Sequence, residues 1–168
     1  PEGEHVRAFS ERLVEATRSL VVGDPARSGT DVGPVIDDAS RDKILGLIGQ
    51  AQREGCRLAI GGEVSRLPDS SPCIPRNLVP PHIFTGVRPE HTIAREEVFG
   101  PVLAVMHAHT FDEALAIANA SPYKLTGGVF TRKPAHIERA KREFRVGNLY
   151  VNRGITGALV GRQPFGGF

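Results

Sequence analysis

Residues 102–151 read VLAVMHAHTFDEALAIANASPYKLTGGVFTRKPAHIERAKREFRVGNLYV, and the periodicity of this stretch decides the fold class. Val102 to Ala108 is apolar and rich in valine, the pattern of a strand buried on both faces of a parallel sheet. Thr110 with Glu113 three residues later forms a capping-box pattern, and Phe111, Leu115 and Ala118 give the helix that follows its buried side. The spacing then predicts a strand near Gly128 to Thr131 and a helix opened by Pro134 with Ile137, Ala140 and Phe144 inward. A last strand runs from Asn148 to Val151. Strand, helix, strand, helix, strand implies parallel crossovers, hence an α/β fold with a mostly parallel sheet flanked by helices.

Upstream, Val6, Phe9, Leu13, Ala16 and Leu20 recur at intervals of three and four, predicting a helix over about residues 4–21 with one buried stripe, ended by Gly23 and Pro25. A second helical period runs through Ile44, Leu47, Ile48 and Ala51, with Ser40 as its N-cap and Gly55 as its stop. Cys56, Leu58 and Ile60 then alternate as a short strand. Between Ser65 and Pro89 stand six prolines, at 68, 72, 75, 80, 81 and 89. That density excludes a long helix and leaves room only for short extended pieces around Ile74 to Val79.

Composition narrows the function classes. Hydrophobic residues at 40% and charged residues at 24% are ordinary globular usage. The 21 basic and 19 acidic side chains are scattered along the chain, whereas a nucleic-acid binder gathers its cations into a patch. No apolar run approaches a membrane span. Cys56 and Cys73 lack paired spacing, which argues against a disulfide scaffold or thiolate zinc site and suits a reducing, cytoplasmic setting. Each reads as a buried or incidental thiol. The six histidines lack a convergent third ligand, so none is assigned a role, His107 and His109 included. Pro1 at the start and a Gly-rich turn at Phe168 read as the ends of a fragment.

The most specific segment is Glu96-Glu97-Val98-Phe99-Gly100-Pro101, immediately before the valine-rich strand. It resembles the cofactor motif of aldehyde dehydrogenases. Asp31-Val32-Gly33-Pro34-Val35-Ile36, Pro122 to Gly128, Gly147 to Asn152 and Pro164-Phe165-Gly166-Gly167-Phe168 appear in the order that family shows. The resemblance implies that Glu97 accepts hydrogen bonds from the nicotinamide ribose hydroxyls and that Phe99 lies against the nicotinamide ring. A carboxylate suits paired hydroxyls, and an aromatic face suits a planar ring.

Ile155-Thr156-Gly157-Ala158-Leu159-Val160-Gly161-Arg162-Gln163-Pro164-Phe165 resembles the substrate-anchoring loop of the glutamate semialdehyde (1-pyrroline-5-carboxylate) branch. There the amides matching Gly157 and Ala158 would hold the substrate α-carboxylate, and Phe165 would pack on its aliphatic chain. Consecutive amides of small residues form such anion nests. Asn152 reads equally as part of the active-site wall or as a turn-stabilising amide.

The resemblance further implies a parent enzyme that oxidises glutamate semialdehyde to glutamate in proline catabolism with NAD, or alternatively NADP. Its nucleophilic cysteine, base, oxyanion asparagine and Rossmann domain precede this segment. Residues 1–168 would then be part of the catalytic domain and inert alone, with no catalytic residue among them. The parent is expected to be a homo-oligomer, stand-alone or fused to a flavin-bearing proline dehydrogenase domain. A dehydrogenase for another aldehyde, or a non-catalytic interaction module, are the rival readings.

Overall fold

The computed structural model describes residues 6–62, 77–157 and 161–162. They divide into two compact units, one ending at His107 and the other beginning at Ala108.

In the first unit, α1 (Val6–Arg18) is followed by α2 (Asp38–Arg53), β1 (Arg57–Ile60), β2 (His82–Val87), the single turn α3 (Thr92–Arg95) and β3 (Val102–Met106). The strands form one sheet ordered β1-β2-β3, antiparallel between β1 and β2 and parallel between β2 and β3. Helix α2 is capped by Asp37, whose carboxylate accepts from the Ser40 amide at 2.7 Å. Ser40 therefore sits within the first turn rather than at the cap. Ile44, Ile48 and Ala51 of α2 pack with Cys56, Val79, Phe84, Val87 and Ile93 into the core of this unit. Burying side chains of this size contributes about 1.5–3 kcal/mol each for the larger ones.

Strand β2 is the element the prolines concealed. Pro80 and Pro81 stop just short of His82, and Pro89 follows Val87 by two residues, so no ladder amide is lost. The run His82–Val87 supplies the best-buried strand, with Phe84 wholly enclosed. Two expectations are corrected by packing. The stripe of α1 is not buried: no α1 residue is enclosed and Phe9 stays 48% exposed, because α1 contacts little beyond β1. A groove of about 750 Å³ lies between Arg7, Ser10 and Glu11 of α1 and the Arg57, Thr85 and Val105 side of the sheet. Strand β3 ends at Met106, and only Val105 is buried while Leu103 is 45% exposed, so the strand is not covered on both faces.

The second unit contains α4 (Phe111–Ala120), β4 (Thr126–Val129), α5 (Pro134–Glu143) and β5 (Asn148–Val151). Strands β4 and β5 pair in parallel across α5, a βαβ unit as the sequence predicts, although β4 begins two residues early. The strand–helix–strand step from β3 to β4 is not a crossover within one sheet, since the two strands fall in separate sheets among the described residues. Thr110 caps α4, its Oγ1 accepting from the Glu113 amide, while Glu113 Oε2 reaches one residue past the cap and accepts from the His109 amide at 2.7 Å. Phe111 stacks on His136 of α5 with centroids 4.1 Å apart, and Asn119 bonds Glu143 O and Arg145 N, tying α4 to α5.

Candidate cofactor and substrate loops

The segment Glu96 to Pro101 links α3 to β3, and its side chains alternate in fate. Val98 packs against the core, and Gly100 is pressed so closely on Ile44 that a Cβ there would lie 2.6 Å from Ile44 Cδ1. Glu97 and Phe99 are exposed, Phe99 by 81%. Phe99 also holds φ 58°, the left-handed region that a residue with a Cβ enters at a cost of about 1–2 kcal/mol. An aromatic ring kept in solvent on a strained backbone contributes little to folding, and such strain collects at ligand clamps. The Gly-Pro pair fixes the exit: Val102 N donates to Gly100 O at 2.7 Å, and Pro101 O accepts from His82 N at 2.9 Å.

The other loop leaves β5 in the second unit. Asn152 has φ 54° and is locked by its own amide, whose Oδ1 accepts from Thr131 N at 2.8 Å while Nδ2 donates to Thr131 O at 3.0 Å. These two bonds give Asn152 the turn-stabilising role, one of its two readings. Arg153 lies over the Tyr150 ring at 5.4 Å. Ile155 seats on Gly128, where a Cβ would come within 2.6 Å of Ile155 Cγ2, and on the opposite strand face Gly127 makes the same room for Phe144. The Gly127-Gly128 pair is thus required by packing on both sides of β4. Gly157 is exposed with φ +96°, a conformation in which its amide and its neighbours' can turn toward one ligand. Ala158 and Phe165 lie outside the described residues, as do Cys73 and the extended pieces expected at 74–76. Glu97 and Phe99 fall in the first unit and Gly157 in the second.

Cys56 is buried, and burial pushes its thiol up from the ordinary range, away from the reactive thiolate. Its Sγ sits 3.0 Å from His91 Nδ1. That fits the inert thiol read from the sequence. Buried His82 is pushed down by loss of solvent, partly opposed by its bond to Pro80 O. No group of three or more His, Cys, Asp or Glu among the described residues could hold a metal ion, and no described helix is long and apolar enough to cross a membrane.

A model described as the aldehyde dehydrogenase family matches residues 2–168. The chain belongs to that family. It is 50% identical over 157 residues to the 1-pyrroline-5-carboxylate dehydrogenase of Geobacillus thermodenitrificans, covering 94% of this chain and 29% of that protein. The chain therefore spans less than a third of such a relative's length. Among solved structures it is similar to a 1-pyrroline-5-carboxylate dehydrogenase from Thermus with bound NAD, at 47% identity and a TM-score of 0.83 over 94% of this chain and 29% of that one. It is also similar to proline utilization A from Bdellovibrio bacteriovorus, at 46% identity and a TM-score of 0.86 over 98% of this chain and 16% of that one. The α/β architecture of these aldehyde dehydrogenases agrees with the fold class read from residues 102–151.

The groups that hold the first loop in place carry no local sequence signal. Glu54, Gln50 and Thr92 form a hydrogen-bonded cluster below it, but Thr92 is 38 residues from Glu54, a pairing that no local pattern reveals.

Proposed function

We propose that residues 1–168 form part of the catalytic domain of an NAD-dependent dehydrogenase that oxidises L-glutamate 5-semialdehyde, the open form of 1-pyrroline-5-carboxylate, to glutamate. The observation that carries this is Phe99: exposed, aromatic and held at positive φ between two residues anchored in the core. Glu97, exposed two residues earlier, is the acceptor for the nicotinamide ribose hydroxyls. Exposed carboxylate and exposed ring together match the polar and flat parts of a nicotinamide riboside. When bound, NAD supplies the hydride acceptor. Phe99 then limits the ring to one face, and Glu97 fixes its rotation, so that the approach of the aldehyde carbon is reproducible.

Substrate class rests on the loop at Gly157. Its left-handed backbone, with Ala158 next in sequence, offers amide donors to an α-carboxylate, and Phe165 packs on the aliphatic chain between carboxylate and aldehyde. The nucleophilic cysteine and the Rossmann domain belong to the remainder of the parent, so this segment alone turns nothing over. NAD is preferred to NADP through the likeness to an NAD-bound relative. The same reading makes the parent a cytoplasmic homo-oligomer. A fused proline dehydrogenase domain is compatible with it, given the likeness to proline utilization A.

The test is kinetic and uses the full-length parent. Glu97→Gln should slow hydride transfer in a single turnover by about tenfold or more, the range for loss of one charge-assisted contact. Glutamate semialdehyde should be preferred over succinate semialdehyde and simple aliphatic aldehydes. Unchanged single-turnover rates would remove Glu97 from the site, and equal turnover of the three substrates would remove the carboxylate nest.

A further inference from the structure

Helix α3 is a single turn that begins without a side-chain cap of its own, because its N-cap residue His91 makes no capping hydrogen bond. The cap comes instead from Glu54 at the C-terminal end of α2. Glu54 Oε2 accepts from the Thr92 amide at 2.8 Å, and Oε1 accepts from the Thr92 hydroxyl at 2.6 Å. Gln50 Nε2 donates both to Glu54 Oε1 at 3.0 Å and to Thr92 Oγ1 at 2.8 Å. These bonds favour the charged carboxylate, and Glu54 is accordingly lowered from its ordinary range, chiefly by the Thr92 hydroxyl and amide.

His91 is pinned separately. Its Nδ1 accepts from the Arg88 amide at 3.1 Å and faces Cys56 Sγ at 3.0 Å. The chain entering α3 is thereby held on both sides of the Thr92 peptide.

At the far end of the turn, Thr92 O accepts from Glu96 N at 2.8 Å, one residue before Glu97. Four residues later Gly100 rests on Ile44. Ile44, Gln50 and Glu54 all belong to α2 or its C-cap. One helix thus grips the Glu97–Phe99 loop at both ends, by apolar contact at the exit and by a buttressing carboxylate at the entrance.

We infer that Glu54, acting through Thr92, is a positioning residue for the nicotinamide loop, setting where Glu97 and Phe99 stand without touching the cofactor. This rests on the cofactor reading of Glu97 and Phe99. In the full-length parent, Glu54→Ala should raise the dissociation constant for NAD by about tenfold, equivalent to ~1.4 kcal/mol. The KM for the aldehyde at saturating NAD should stay within about twofold, because that constant reports the other loop. Thr92→Val, which removes the hydroxyl, should move NAD affinity in the same direction, and Thr92→Ser, which keeps it, should restore the wild-type value. NAD titration of all three, with Phe99→Ala in parallel, decides the matter. Weakened binding in Phe99→Ala but not in Glu54→Ala or Thr92→Val would overturn the positioning role alone. Equal losses of NAD and aldehyde affinity in Glu54→Ala, with no recovery in Thr92→Ser, would also overturn it. Unaltered binding in Phe99→Ala would instead defeat the underlying cofactor reading.

Discussion

Substituting Gly100 by alanine probes the contact on which the cofactor loop turns. Gly100 has no positive φ, so the backbone accepts alanine and only space is at issue. The new Cβ would stand 2.6 Å from Ile44 Cδ1, 3.1 Å from Cγ1 and 3.3 Å from Cγ2. Ile44 is 1% exposed and walled in by the core of the first unit, so it cannot swing clear. Overpacking of this kind costs about 1–3 kcal/mol. Ile44→Val deletes Cδ1, the atom in deepest conflict, and by itself costs about 0.5–1.5 kcal/mol for the lost methylene and its void. In the double variant the alanine methyl enters the space vacated by Cδ1, so the two losses should fail to add by about 1 kcal/mol in the favourable sense. Urea unfolding of the four proteins of this cycle gives the coupling. NAD titration of Gly100→Ala should show weakened binding that Ile44→Val partly repairs. Strict additivity in stability, or a Gly100→Ala protein as stable as wild type, would refute the packing of this loop on α2.

Other outcomes follow from single features. Phe99→Gly exchanges about 1–2 kcal/mol of left-handed strain for the extra chain entropy of glycine and a little lost burial, so stability should change by less than about 1 kcal/mol while NAD affinity falls; a large loss of stability in calorimetry would make Phe99 a structural anchor instead. Gly157→Ala at φ +96° should raise the KM for glutamate semialdehyde well above wild type and leave that for an aliphatic aldehyde alone, as steady-state kinetics would show. Asn152→Ala loses both bonds to Thr131 and a residue suited to positive φ, and should destabilise by about 1–3 kcal/mol in denaturant unfolding. His82 is held neutral by burial with its folded pKa below the unfolded value of about 6.5, so the unfolded chain takes up the proton first and this contribution to stability is full above that pH and lost as pH falls beneath it. His82→Gln should flatten that part of a pH–stability profile.

Sequence periodicity carried the helices well because α2 buries Ile44, Ile48 and Ala51 at the expected spacing, and the expected inward residues Leu115 of α4 and Ala140 of α5 are the ones enclosed. It failed where a neighbour decides. The stripe of α1 is a sound amphipathic pattern, but β1 offers it too little surface to enclose Phe9. Strand β2 was hidden because six prolines crowd the stretch around it while standing outside its ladder, although His82-Ile83-Phe84-Thr85 is a good strand sequence on its own. The exposed pair Glu97 and Phe99 was legible as a motif, whereas the positive φ of Phe99 and the grip of Glu54 on Thr92 arise from contacts distant in sequence.

The measurement closest to the central claim is a crystal structure of the full-length parent soaked with NAD. It should place the Glu97 carboxylate within hydrogen-bond distance of the nicotinamide ribose hydroxyls and the Phe99 ring against the nicotinamide. A nicotinamide riboside bound elsewhere, with Glu97 and Phe99 still in solvent, would contradict the account.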